Sequence, residues 1–303
     1  MKKLLKVVWG IFALIGILTT ASLFYAYFAK YYISIHHHQL PEKQHDEYVE
    51  LLRTSGALKK DTVTFEMKII QDTVRAKEIQ DYFNLDTLYD ADANTWSKAL
   101  AIGQFVASYI PHDNQKIQPK HRNAIDLWEY TKNIAPAFNC RMHGILTFEL
   151  LLAAGMDARF VTCLPEDEDD NDCHVVNEVW LPEKGKWAMI DSDMKHYISN
   201  LDGVPLSLKE IREHYISGED MVIHNLLKNV PMKDDDYSAY MAKNTYWFRC
   251  HETLSYYQED PENRGRGAGR HINLVPTGFE SFVKDNGNVK TSNADIFWAA
   301  PRK

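Results

Sequence analysis

A chain of 303 residues with 45% hydrophobic and 25% charged residues has the composition of a folded globular protein, which excludes disorder over most of its length. Its formal net charge of −8 gives no electrostatic support to a nucleic-acid partner. Four cysteines without a CxxC pair, none at a zinc-ligand spacing from a histidine, give no structural zinc motif, and no cofactor is expected.

Lys2, Lys3 and Lys6 precede an uncharged apolar stretch over residues 7–29, closed by Lys30. As a helix this stretch is roughly 34 Å long at about 1.5 Å per residue, enough to span a bilayer. The leading lysines predict a cytoplasmic N-terminus and an exported remainder. Cleavage after the small residues Thr19-Thr20-Ala21 is the rival reading, but it leaves an apolar start at Ser22. The expected organisation is therefore a stub and membrane anchor over 1–30, a stalk over 31–46 carrying His36-His37-His38, and one domain over 47–303.

Residues 42–53 read as a helix stopped by Gly56. Residues 61–70 alternate, with Val63, Phe65, Met67 and Ile69 on one face, and predict a strand. Residues 96–110 and 123–134 are helices ended by Pro111 and Pro136. A helix starting at Cys140 runs to Gly155, followed by short strands over 158–163, 174–181 and 187–191, the last two joined at Lys184-Gly185.

That middle stretch carries the chemistry. A thiol attacks an amide only as thiolate, which a helix N-terminus and a neighbouring imidazole both favour. Cys140 opens a helix, His174 begins a strand, and Asp191 ends the next strand of the hairpin. A carboxylate beside the imidazole would hold its tautomer. Cys140, His174 and Asp191 are thus the candidate nucleophile, base and orienting group, with Asn177 the alternative orienter.

The segments around Asn139-Cys140-Arg141, residues 150–161 with Ala154-Gly155 and Ala158-Arg159, His174 followed by Glu178, and Trp187 four residues before Asp191 resemble the transglutaminase-like superfamily. The resemblance implies an α+β fold of papain-like topology, with the Cys140 helix packed on an antiparallel sheet. It also implies a core over about 122–200, a C-terminal extension over 201–303, and a Cys-His-Asp triad. Phe138, Cys163-Leu-Pro, Gly203-Val-Pro and Phe297-Trp298 resemble a bacterial exported branch. Ser192 stands where the family often has Pro, which should alter only the turn there.

Other candidates carry less. His143, three residues after Cys140, leaves little room for substrate and reads as a packing group. The acidic run 166–172 lacks the alternating ligands and Gly of a calcium loop. Gly265 to Gly269, flanked by arginines, reads as a turn. The Cys140 N–H is the expected oxyanion donor, with Trp128 a candidate side-chain donor. Cys163 and Cys173 flank the acidic loop at neighbouring strand ends, and a disulfide between them is expected in an oxidising compartment. The expected function is cysteine-dependent acyl transfer or hydrolysis on protein or peptide amides, peptidoglycan peptides included, at the outer face of a membrane. The alternative is a non-catalytic envelope-binding domain of the same fold.

Overall fold

Helix signals convert into helices where caps and apolar faces coincide. The computed structural model describes residues 42–230, 232–262, 269–280 and 287–302, with positions 9, 16, 19, 20 and 22. The expected anchor over 7–29, the three stalk histidines and the arginine-flanked turn at 265–268 otherwise lie outside the described residues. Among the described residues no helix is long and apolar enough to cross a membrane. Helix α1, Glu42–Thr54, buries Val49 and Leu52, and its first residues take the last positions of the expected stalk. Helix α2, Thr73–Phe83, is capped by Asp72, which accepts from the Val74 and Arg75 N–H groups. Asn94 and Asn123 cap α3, Thr95–Tyr109, and α4, Ala124–Asn133.

The predicted strand at 61–70 forms only in part. Phe65, Met67 and Ile69 are buried while Thr64, Glu66 and Lys68 are exposed, so the alternation is real. Ladder pairing is confined to β1, Lys68–Ile69, which runs parallel to β8, Thr253–Leu254. Side-chain alternation needs only an extended backbone against a core; a ladder needs a neighbouring strand in register.

Helix α5, Cys140–Ala153, is buried on all sides from Met142 onward, as expected of a helix that is apolar around its whole circumference. It lies against a six-stranded sheet of order β10-β9-β7-β2-β3-β4. The strands are β2 Ala158–Leu164, β3 His174–Leu181, β4 Lys186–Ile190, β7 Trp247–His251, β9 His271–Leu274 and β10 Val289–Thr291. All neighbours are antiparallel except β9 and β10, so the sheet is mixed rather than purely antiparallel. Residues beyond 200 supply three of its strands, together with α6, Leu208–Ser217, and α7, Asp234–Asn244. Strands β5, His196–Ser199, and β6, Val222–Asn225, form a separate pair, and the short helix α8, Ala294–Phe297, follows β10.

Two devices fix α5 on the sheet. Gly144 faces β3 so closely that a Cβ there would meet Val175 Cγ1 at 2.8 Å. Asn177 Nδ2 donates to the Gly144 carbonyl at 2.9 Å. On the far side of the helix, Glu149 is fully buried and accepts from the Ala124 N–H at 2.8 Å and the Tyr257 N–H at 2.6 Å. Burial raises its carboxyl to about 7, against the pull of those donors and of Arg75. A carboxyl raised on folding stabilises the fold below its unfolded value, near 4.5, and that contribution is lost as pH rises through about 7. Glu149→Gln removes the titration. Relative to wild type, the variant should therefore gain unfolding free energy between pH 5 and pH 8, read by denaturant titration at both pH values. A constant difference would contradict the assignment.

The Ala-Arg and His-to-Glu features of the sequence have a structural use. Arg159 and Glu178 are both fully buried on facing positions of β2 and β3. Arg159 Nε and Nη2 donate to Glu178 Oε2 at 2.9 and 2.6 Å, and Nη1 donates to the Phe297 carbonyl at 2.7 Å. Glu178 Oε1 accepts from the Leu208 N–H at 2.8 Å, and both its oxygens lie 3.2 Å from Trp298 Nε1. The pair ties the hairpin to α6 and to the C-terminal segment.

Candidate active site

Cys140 is the first residue of α5, and the Asn139 side chain caps that helix by accepting from the Met142 N–H. The approach to the cap is braced. Asn139 N–H donates to Gln115 Oε1 at 2.9 Å, and His112 bridges to Phe138. The half-buried thiol therefore sits at the N-terminal, positive end of a buried helix.

His174 is the first residue of β3 and is fully buried. The ladder pairs Asn177 with Ile190, so Asp191 follows opposite Val176, on the face of the sheet that carries His174. His174 Nε2 donates to Asp191 Oδ2 at 2.6 Å. Among the described residues Nδ1, the other ring nitrogen, is buried with no nitrogen or oxygen partner within hydrogen-bond distance and is left to meet the thiol. The Cys140 sulfur, a His174 ring nitrogen and an Asp193 oxygen all lie within 4.8 Å of one another. Burial by itself would lower the His174 pKa, but Asp191 and Cys140 outweigh it and hold the imidazole well above its ordinary value. The three residues singled out in the sequence are thus brought together.

Asp191 is saturated with donors. Oδ1 accepts from the Asp193 N–H at 3.0 Å and the Met194 N–H at 2.9 Å, and Oδ2 also accepts from the Tyr237 hydroxyl at 3.0 Å. Tyr237 stacks on His196, whose backbone pairs with Asp191. One helical turn along α7, Tyr240 packs edge-on against the His174 ring at 5.2 Å. Ser192 does more than alter its turn: its hydroxyl bonds Thr147 on α5 at 2.7 Å, tying that turn to the Cys140 helix.

A second carboxylate lies beside the thiol. Asp193 is buried, with Oδ1 2.9 Å from His143 Nδ1 and both oxygens 2.9 Å from His112 Nδ1. Burial would raise its pKa, but His143 and His112 hold it well below the usual carboxylate range. The hydrogen bond to Asp193 in turn raises His112. His143 also reaches the Asn139 and Ile110 carbonyls, at 3.1 and 3.2 Å. Both its ring nitrogens are engaged, and its role is to support the site's backbone rather than to act as base.

Several expectations are corrected. Asn177 is committed to the Gly144 carbonyl and does not orient His174. The Trp128 ring packs on Phe83, Phe105 and Tyr109, and none of these partners belongs to the site. Cys163 and Cys173 are free thiols. Cys163 pairs across the ladder with His174, so Cys173 is one position out of register and on the opposite face. The acidic loop is ordered by a cation instead: Lys243 Nζ lies 2.9 Å from both Asp170 Oδ2 and Asp172 Oδ2. Burial pushes the thiols of Cys163 and Cys173 up, and that of Cys250 to about 12, which leaves these three poorly reactive.

Residues 72–192, from the cap of α2 to the turn after Asp191, match the transglutaminase-like superfamily. The matched segment thus contains α2 to α5 and the hairpin, and Cys140, His174 and Asp191 fall within it. A transglutaminase-like fold suggests cysteine-dependent amide-bond chemistry. Solved structures similar to the chain include a candidate cysteine protease from Cytophaga hutchinsonii. It is 17% identical, with 55% of this chain and 58% of that chain covered and a TM-score of 0.33. A candidate protease from Parabacteroides distasonis is 16% identical over 39% of this chain and 24% of that chain, with a TM-score of 0.28. No curated protein matches the sequence.

Proposed function

We propose that this protein cleaves an amide bond through a thioester on Cys140 and passes the acyl group to an amine or to water. The observation that carries this reading is the His174 imidazole, held by Asp191 through Nε2 with Nδ1 left for the thiol. In the proposed cycle the Cys140 proton passes to His174 and sulfur attacks the carbonyl carbon. The developing oxyanion is met by the Cys140 N–H, an orphan donor of the first helical turn. Collapse expels the amine, which takes the proton from His174. The acceptor then gives its proton to His174 as it attacks the thioester, and the thiol is restored. Asp191 keeps the ring oriented throughout.

The proposed substrates are peptide amides outside the cytoplasmic membrane, peptidoglycan peptides among them, with residues 7–29 as the tether. Membrane fractionation with intact-mass analysis tests the location: a membrane-bound product of full length is expected, and a soluble product beginning at Ser22 would show a cleaved signal instead. The chemistry is tested by trapping the acyl-enzyme on acid quench and locating the acyl group by mass spectrometry. An adduct on Cys140 is expected. Alkylation of Cys140 by iodoacetamide at pH 6 should also be fast. Alkylation there as slow as that of an ordinary thiol would favour a non-catalytic binding domain.

A further inference from the structure

We propose that Cys140, His174 and Asp193 form a binding site for a thiophilic divalent cation such as Zn²⁺, whose occupancy holds the thiol inactive. The inactivation rests on the acyl-transfer reading above; the binding rests on geometry alone. One sulfur, one imidazole nitrogen and one carboxylate oxygen lie within 4.8 Å of one another. Zinc bonds such atoms at about 2.0–2.3 Å, which places tetrahedral ligands about 3.5 Å apart. The trio needs to draw in by an ångström or so, within reach of side-chain adjustment. Three protein ligands leave the fourth position for water.

The surrounding shell is already built. A metal-binding histidine is ordinarily oriented by a carboxylate on its other nitrogen. Asp191 does this at 2.6 Å, which leaves Nδ1 of a fully buried ring with no nitrogen or oxygen partner among the described residues and free to turn to the sulfur or a cation. The third ligand is held just as firmly, because His112 and His143 fix the Asp193 carboxylate at 2.9 Å. Oδ1 receives both histidines and Oδ2 receives His112 alone, so Oδ2 keeps a lone pair for a cation. Tyr240 covers the His174 ring from the side. Charge is matched as well. The thiolate and Asp193 together carry the two negative charges that a divalent ion neutralises, and the thiol proton is released to solvent on binding. A proton on His174 and a cation at this site compete for the same nitrogen, so substrate chemistry and metal binding exclude one another.

The test uses the full chain, stripped by chelator, with Co²⁺ as the spectroscopic probe and Zn²⁺ as the inhibitor. One equivalent of Co²⁺ should produce the near-ultraviolet charge-transfer band of a cobalt thiolate. Cys140→Ser should lose the band, and Asp193→Asn should weaken Co²⁺ affinity by about tenfold or more. Equimolar Zn²⁺ at neutral pH should slow alkylation of Cys140, with full recovery after chelator. Asp193→Asn also disturbs two histidines, so the wild-type spectrum and Cys140→Ser form a test that does not depend on its folding. No band in the wild type, a band that survives Cys140→Ser, or alkylation indifferent to Zn²⁺ would overturn the site. Slow alkylation of the metal-free protein would instead overturn the acyl-transfer reading, with the cobalt spectrum still deciding the metal site.

Discussion

Cys140→Ala is expected to abolish turnover of amide substrates, a loss of several orders of magnitude, with the fold intact. The side chain sits half-buried at the first position of α5, and the cap is made by the neighbouring Asn139 rather than by Cys140 itself. Removing one sulfur there leaves the helix, its cap and the hairpin in place. The variant should melt within a few degrees of wild type, lose fast alkylation at pH 6, and form no acyl adduct. Asp191→Asn separates chemistry from folding in a second way. An amide can keep part of the hydrogen bonding around Oδ1 and Oδ2 but cannot hold His174 in the same tautomer, so alkylation and turnover should both fall sharply. Near wild-type turnover in Cys140→Ala would remove the nucleophile assignment. A rate within about twofold of wild type in Asp191→Asn would remove only the orienting role.

The largest expected effect on stability is at the Arg159–Glu178 pair. Neither side chain has solvent exposure, and among the described residues Glu178 has no other cation bonded to it. In Arg159→Leu the carboxylate stays buried with only the Leu208 N–H and the Trp298 indole as donors. Breaking one partner of such a pair costs about 3–5 kcal/mol, because the remaining charge is left without compensation. The guanidinium also stacks against Trp187 and Phe297, at 4.5 and 4.7 Å from the ring centroids, so packing adds to the loss. Denaturant unfolding of Arg159→Leu measures the loss. Adding Glu178→Gln to that variant should recover part of it, since a neutral amide can still accept from Leu208. If the single variant lost less than about 1 kcal/mol, the pair would not be what ties the hairpin to the C-terminal segment.

These two sites differ in how they could be read. The triad was legible because it is local in the chain. Cys140, His174 and Asp191 lie on one helix and one hairpin within a continuous stretch, and the pattern of apolar residues marks each element. Hairpin geometry then does most of the placing: with two short strands joined at Lys184-Gly185, the register that pairs Asn177 with Ile190 brings His174 and Asp191 to one face. The same segment also carries the family's motifs, and the match over 72–192 falls where those motifs stand. Arg159 and Glu178 were recognisable as motif residues, but their partners Leu208, Phe297 and Trp298 come from far along the chain.

Where local pattern stopped, so did the reading. The burial alternation at residues 61–70 was visible, yet whether it forms a ladder depended on a neighbour near residue 253. The disulfide expectation failed on register, because proximity of strand ends does not say which face each side chain takes. Tyr237, Tyr240 and Lys243 stand on one helix, but nothing in their spacing says that this helix covers the His174 hairpin. His112 reaches Asp193 across 81 positions, through the loop that pairs with the approach to Cys140. The sequence by itself therefore determined most of the elements, their faces and the three groups that meet at the candidate site, because these follow from periodicity and short-range geometry. Tertiary packing alone decided what surrounds them: the second carboxylate at the thiol, the tyrosine on Asp191 and the lysine on the acidic loop. Each is a contact between distant segments, selected by burial of the whole core rather than by any local preference.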